Sequence, residues 1–266
     1  LGRRNSRPFF IGEHMVAIPQ PPVQDPNLAA VDVAMVEREA RAPRRQYLGM
    51  SAIGNECSRK LWYSYHQPEP ENFDAATLRR FADGHRTEDL MGERLRLIPG
   101  ITFMTLDPET GRQFEVVDFD GKFKGHMDGI IKGLIQAPAT WHVWEGKCVN
   151  EKKYAKFQSI KQKNGEKKTL KEWDPVYYAQ AQCYMGYSGM KRHFLTVGTP
   201  GGRDWDACRT EFALEDFEAI KDKARRILEA KYPLAKTSND PNWFACKWCN
   251  YRETCHGTKK VPAGSD

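Results

Sequence analysis

The sequence predicts an α/β domain with a central mixed sheet flanked by helices. Three observations lead there. Apolar residues recur at helical spacing in several segments, and short runs with β-type alternation fall between them, in the order helices, three strands, helix, two strands, helix. Of the 266 residues, 40% are hydrophobic and 29% charged, enough for a sizeable core and against wholesale disorder. No apolar run approaches the roughly 20 residues that cross a bilayer; the stretch from Gly129 to Ile135 is broken by Lys132.

Residues 1–28 carry Pro8, Pro19, Pro21, Pro22 and Pro26 without sustained periodicity, and read as a flexible arm. A helical pattern follows from Ala29 to Arg41. Ser51 stands as the N-cap of a second helix holding Cys57, Arg59, Leu61 and Trp62. Thr77 to Leu97 is a third helix, with Leu78, Phe81, Leu90, Met91 and Leu95 on its apolar stripe. After Pro99 come three strands: Gln113 to Phe119, Gly121 to Lys132 beyond an Asp-Gly turn, and Trp141 to Cys148. Asp174 then caps a helix with Pro175 in its first turn, running to Tyr187. Strands at Phe194 to Val197 and Asp206 to Phe212 flank a Pro-Gly-Gly turn, and Leu214 to Lys231 is a closing helix.

The chain carries 41 Lys and Arg against 35 Asp and Glu, a formal net charge of +6. That excess is local, because residues 147–171 hold nine lysines and two glutamates. The segment reads as an exposed loop or loosely helical arm. Lys152, Lys153, Lys161, Lys163, Lys167 and Lys168 are its candidate contacts to a phosphate backbone.

The residues that carry chemistry begin with Asp128, in Gly125-His126-Met127-Asp128-Gly129, and continue with Glu145-Gly146-Lys147 at the end of the next strand. Glu145 and Lys147, two apart on a strand, share a face. Two carboxylates hold a hard divalent cation through oxygen, and a neighbouring ammonium supports water or the phosphoryl transition state, which equips a phosphodiester-hydrolysing site. Upstream, His85 and Glu88 offer further ligands from the third helix. Downstream, Gln180 and Tyr184 share a helix face at a spacing of four.

The order Gly84-xxx-Glu88, Gly125-xx-Asp128-Gly129, Glu145-x-Lys147, Gln180-xxx-Tyr184 resembles the RecB-like branch of the PD-(D/E)XK nucleases, over roughly residues 84–184. The resemblance implies a restriction-endonuclease-like sheet. It also implies Mg2+ or Mn2+ held by Asp128 and Glu145, with Glu88 and the carbonyl of Gly146 as additions, and Lys147 as the catalytic lysine. Gln180 and Tyr184 complete the catalytic set. His85, one turn before Glu88, ranks lower, and Met127 stands where some members carry Pro.

Seven cysteines without a secretory signal argue against a disulfide framework and for a cytoplasmic setting. Cys246, Cys249 and Cys255 cluster near the C-terminus, and Cys57, in Cys-Ser-Arg-Lys-Leu-Trp-Tyr, is the outstanding candidate for the fourth thiolate of a metal or cluster. This arrangement resembles the iron-sulfur staple of AddB-type nucleases and the CRISPR-associated adaptation nuclease, and implies a structural 4Fe-4S cluster. Zinc on the same thiolates is the alternative. Such a staple would make residues 29–260 one domain, with 261–266 as a tail.

Together these features predict a divalent-metal-dependent deoxyribonuclease acting on single-stranded DNA ends, and the family resemblance alone implies an exonuclease rather than an endonuclease, working in recombination, repair or replication. Trp173, Tyr177 and Tyr178 would stack on unpaired bases. Unwinding would fall to a helicase or recombination partner, since the sequence has no Gly-xxxx-Gly-Lys-(Ser/Thr) motif. The competing class is a non-catalytic DNA-binding protein with a structural zinc site.

Overall fold

The computed structural model describes residues 24–43, 45–68 and 73–257. Most of the proposed N-terminal arm and all of the C-terminal tail lie outside these residues. The expected α/β class and mixed strand pairing are present, with two mixed sheets flanked by helices.

The first helix, α1 (Pro26–Ala40), is capped by the Asp25 carboxylate and starts three residues earlier than its apolar pattern suggests. The short strand β1 (Leu48–Gly49) follows. Ser51 does not cap a helix; it lies inside a single 3-10 turn, Met50–Ala52. The second helix, α2 (Ser58–His66), is capped instead by Cys57, whose Sγ accepts from the Lys60 amide. Asp74 caps α3 (Ala75–Leu95).

The strands are β2 (Thr102–Met104), β3 (Phe114–Asp118), β4 (Phe123–Met127), β5 (Gly129–Lys132) and β6 (His142–Cys148). The continuous strand expected over 121–132 is broken at Asp128. Up to Met127 the chain pairs with β3 and β1, and from Gly129 it pairs with β2 and β6. The single expected sheet is thereby divided into one of order β1-β4-β3 and one of order β2-β5-β6-β7-β8. The last two strands are β7 (Arg192–Gly198), parallel to β6, and β8 (Trp205–Glu211), antiparallel to β7.

The lysine-rich segment is neither a loop nor a loose arm. It forms α4 (Glu151–Asn164) and α5 (Glu166–Trp173), which bury Tyr154, Phe157, Leu170 and Trp173. Apolar side chains three apart in each helix anchor it to the main core, and the lysines occupy what remains. Two more helices follow: α6 (Pro175–Ser188), capped by Asp174, and α7 (Leu214–Glu229). The short helices α8 (Phe244–Lys247) and α9 (Arg252–His256) close the described chain.

Strand β6 divides the core by its period of two. Val143 belongs to the large cluster with Ala181, Tyr184 and Leu195, on the α6 side. Trp144 belongs to the smaller cluster with Met91 and Leu95 of α3. The C-terminal half of β6 therefore lies between two helices, and both deliver polar groups to it. No described helix is long and apolar enough to cross a membrane.

Candidate active site

Glu145 sits on β6 at 3% exposure. Its Oε1 accepts from Lys147 Nζ at 2.6 Å and from Gln180 Nε2 at 2.7 Å. Its Oε2 is buried and has no hydrogen-bond partner. Asp128, at the break between the sheets, accepts from the Gly146 amide at 3.1 Å and lies 3.6 Å from Lys147 Nζ. Lys147 also donates to the Gly146 carbonyl at 2.9 Å. Gln180 donates in turn to the Tyr184 hydroxyl at 3.1 Å.

Glu88 reaches the same place from α3. A Cβ on Gly146 would stand 3.0 Å from Glu88 Cγ, so the glutamate packs directly on the glycine backbone. Gly125 plays a similar part on β4, where a Cβ would fall 2.4 Å from the Tyr184 ring. Both glycines are thus required by close approach of site side chains.

Burial, followed by the proximity of Asp128, pushes the Glu145 carboxyl up to about 8. Burial likewise lifts Glu88 to about 7 against the attraction of Lys147. Burial works against the Lys147 charge, but Glu145, Asp128 and Glu88 outweigh it and hold the ammonium above the ordinary lysine range. Three carboxylates around one lysine leave surplus negative charge, and buried carboxylates respond by holding protons unless a further cation compensates them.

These groups form the floor of a cleft of about 1400 Å3. Asp128, Glu145, Lys147, Gln180, Tyr184 and Glu88, scattered over 97 positions of sequence, are all brought together there. His85 also lines the cleft but is exposed, one turn along α3 from Glu88.

The expected DNA-contacting lysines are placed differently. None of Lys152, Lys153, Lys161, Lys163, Lys167 and Lys168 lines the cleft. Lys153 is paired with Asp174, Lys161 with Asp206 and Lys167 with Glu211. Lys152, Lys163 and Lys168 are exposed and take part in no ion pair among the described residues. Of the three aromatic residues expected to stack on bases, only Tyr177 lines the cleft. Trp173 is buried with its indole N–H on the Lys153 carbonyl, and the Tyr178 hydroxyl donates to Asp216.

The cleft instead carries cations that the sequence reading passed over. Arg45, Arg80 and Arg96 line it, and none has a carboxylate at ion-pair distance among the described residues. Lys124 and His126 line it too, sharing Glu115. Their spacings were visible: Arg80, Gly84 and Glu88 step by four along α3, and Lys124 and His126 alternate toward Asp128 on β4. Arg45 carries no such signal.

Cys57, Cys246, Cys249 and Cys255, separated by nearly the whole domain in sequence, line one second pocket with Tyr63, Trp248 and His256. All four are free thiols, half-buried. Burial raises the Cys246 thiol, and the nearby Cys57, Cys249 and Cys255 raise it further. Cys183 and Cys208 are buried in the core, while Cys148 is half-buried at the cleft. Among the described residues, no group of three or more His, Cys, Asp or Glu side chains that could hold a metal ion is found.

No protein-family profile matches the sequence, and no curated protein matches it. Among solved structures, the chain is similar to an alkaline exonuclease from Laribacter hongkongensis, with 17% identity, a TM-score of 0.47, and 72% of this chain and 90% of that one covered. The same exonuclease in complex with dAMP gives 17% identity, a TM-score of 0.48 and the same coverage. A phage-related exonuclease from Haemophilus somnus gives 12% identity, a TM-score of 0.44, and coverage of 64% of this chain and 77% of that one.

Proposed function

We propose that the chain is a divalent-metal-dependent deoxyribonuclease of the PD-(D/E)XK type that works at DNA ends. The observation that carries the reading is the buried Oε2 of Glu145, unpartnered in a cleft where Asp128, Glu88 and Lys147 converge. A carboxylate oxygen without a donor is costly to bury unless a cation compensates it. The donor set is all oxygen, which suits Mg2+ or Mn2+. Asp128 and Glu145 would hold that ion, with Glu88 beside them, and the ion when bound supplies Lewis acidity and a more acidic water.

The chain's own residues do the rest. Gln180, steadied against Tyr184, fixes the rotamer of Glu145, and the Gly146 amide fixes Asp128. Lys147 keeps its proton and presents positive charge where a phosphoryl oxygen becomes more negative. Arg45, Arg80 and Arg96, free of carboxylate partners among the described residues, favour an anionic polymer with several phosphates over a single small anion. Tyr177, with the Lys147 ammonium 5.5 Å from its ring centre, offers a face to an unpaired base.

The second pocket supports a structural role for a thiolate-bound cluster. Its four cysteines form a soft donor set suited to 4Fe-4S or zinc. That group would tie α2 to the C-terminal segment.

The test is cleavage of an end-labelled strand with Mg2+ or Mn2+ and with chelator. Asp128→Ala and Lys147→Ala should each lower cleavage by about 10²-fold or more. Cleavage by either variant at the wild-type rate, or undiminished cleavage in chelator, would overturn the reading. For the second pocket, an anaerobic preparation with neither iron nor zinc bound would reject the thiolate site.

A further inference from the structure

The lysines of α4 divide into two sets. At 100° per residue, Lys152, Lys156 and Lys163 fall within about 40° of one another on the helix, whereas Lys153 and Lys161 stand about 100° and 180° from Lys152. Lys153 and Lys161 are half-buried and paired with Asp174 and Asp206. Lys152, Lys156 and Lys163 are exposed and take part in no ion pair among the described residues. Ser159 completes their stripe, opposite the buried Tyr154 and Phe157. The only acid on α4 is Glu151, off the stripe in the first turn.

The helix that carries the stripe starts beside the cleft. Lys153, in the first turn of α4, holds its ammonium 4.6 Å from the ring centre of Tyr177, which lines the cleft. From there, Lys152 to Lys163 spans about 16 Å at 1.5 Å per residue. That is the rise of about five base pairs of duplex at 3.4 Å each. The stripe has no aromatic residue, so it offers charge to phosphates and no platform for unpaired bases.

We propose that the α4 stripe is a binding site for the phosphate backbone of a double-stranded stretch adjoining the strand end that enters the cleft. This rests on the nuclease reading for the identity of the polyanion. It assigns the substrate as a duplex with a frayed or overhanging end, the unpaired portion passing Tyr177 and the paired portion lying along α4. Lys153, Lys161 and Lys167 share their charge with Asp174, Asp206 and Glu211, and the proposal assigns them no backbone contact.

The experiment compares salt dependence of binding, in chelator, for a fluorescent duplex with a short single-stranded tail and for an unpaired strand of equal length. Lys152→Gln, Lys156→Gln and Lys163→Gln are combined in one variant. Lys161→Gln, Lys167→Gln and Lys171→Gln make a control of equal charge change. Each phosphate contact to B-form DNA contributes about 0.9 to the slope of log K against log salt, so the stripe variant should lose about 2.7 on the tailed duplex. On the unpaired strand it should keep the wild-type slope, and the control variant should keep it on both. An unchanged slope on the tailed duplex overturns the proposal, as does an equal loss of about 2 on both substrates, which would make the stripe a single-strand site. Cleavage of the labelled strand with Mg2+ separates the two readings. Intact cleavage with no slope effect removes the α4 site alone, and a slope effect without cleavage removes the nuclease reading alone.

Discussion

Gln180 sits where stability and the candidate chemistry are coupled, and Gln180→Met isolates its amide. The substitution keeps the volume of the side chain and deletes the donor that reaches Glu145 Oε1 at 2.7 Å and the Tyr184 hydroxyl at 3.1 Å. A hydrogen bond to a charged group, the state of Glu145 above about pH 8, contributes about 1.5–3 kcal/mol. For a chain of this size that corresponds to a fall in Tm of about 3–12 °C, at about 2–4 °C per kcal/mol. The loss should depend on pH, because the amide stabilises the charged form of Glu145. With the Glu145 carboxyl at about 8 in the fold, raised first by burial, the native state holds a proton that the unfolded chain releases near 4.5. Native stability therefore declines as pH rises from about 4.5 to 8 in the metal-free protein. Without the amide, the folded value moves higher still, and the variant continues to lose stability beyond pH 8 while wild type levels off. Thermal melts in chelator from pH 6 to 9 measure this directly. Melting curves of variant and wild type that stay within about 1 °C at every pH would show that Gln180 does not hold Glu145, and would remove the positioning role proposed for it.

Three further outcomes follow from particular contacts. Gly125→Ala should destabilise by about 1–3 kcal/mol, since its Cβ would meet the Tyr184 ring at 2.4 Å; a chemical-denaturation midpoint equal to wild type would show that the ring yields freely. His193 is fully buried and burial drops it to about 3, so it stays neutral in the fold while the unfolded chain takes up a proton below about 6.5. Its contribution is a loss of stability of about 1.4 kcal/mol per pH unit as pH falls from 6.5 toward 3; His193→Gln should flatten that stretch of the stability-pH curve, and parallel curves would refute it. Finally, Cys57→Ser should lower the protein's affinity for iron or zinc and its Tm together, read by metal analysis and melting of anaerobic preparations; a Tm and metal content matching wild type would separate Cys57 from the other three thiols.

How far the site could be read in advance depended on whether its signal was local. Glu145 and Lys147 fall on one face because a strand repeats every two residues, and Gln180 and Tyr184 fall on one face because a helix nearly repeats every four. Both relations are complete within a few residues of chain. The break at Asp128 is not: it exists because the backbone on either side finds different strands to pair with, Met127 meeting Phe114 of β3, 13 residues back, and Gly129 meeting Trp144 of β6, 15 residues on. Strand β1 is two residues long and has no periodicity to detect. Arg45 reaches the cleft through packing of a segment with no regular structure of its own, so only the folded chain reveals it.

The lysine-rich segment shows why a charge count along the chain misjudges the field that a ligand meets. The partners of Lys153, Lys161, Lys167 and Lys171, which are Asp174, Asp206, Glu211 and Asp216, all come from later in the sequence and are brought back by α6, β8 and α7. A window containing nine lysines and two glutamates therefore says little about which ammonium groups face outward uncompensated. On α4 burial sorts them: the apolar residues at 154 and 157 decide how the helix lies, and Lys153 and Lys161, turned toward the body, meet acids there, whereas Lys167 and Lys171 on α5 are exposed and still paired. Those turned away, Lys152, Lys156 and Lys163 on α4, keep their charge for solvent or for a polyanion. Exposed pairs contribute little to stability, so the pairing of the inner set matters mainly for what it takes out of the outer field.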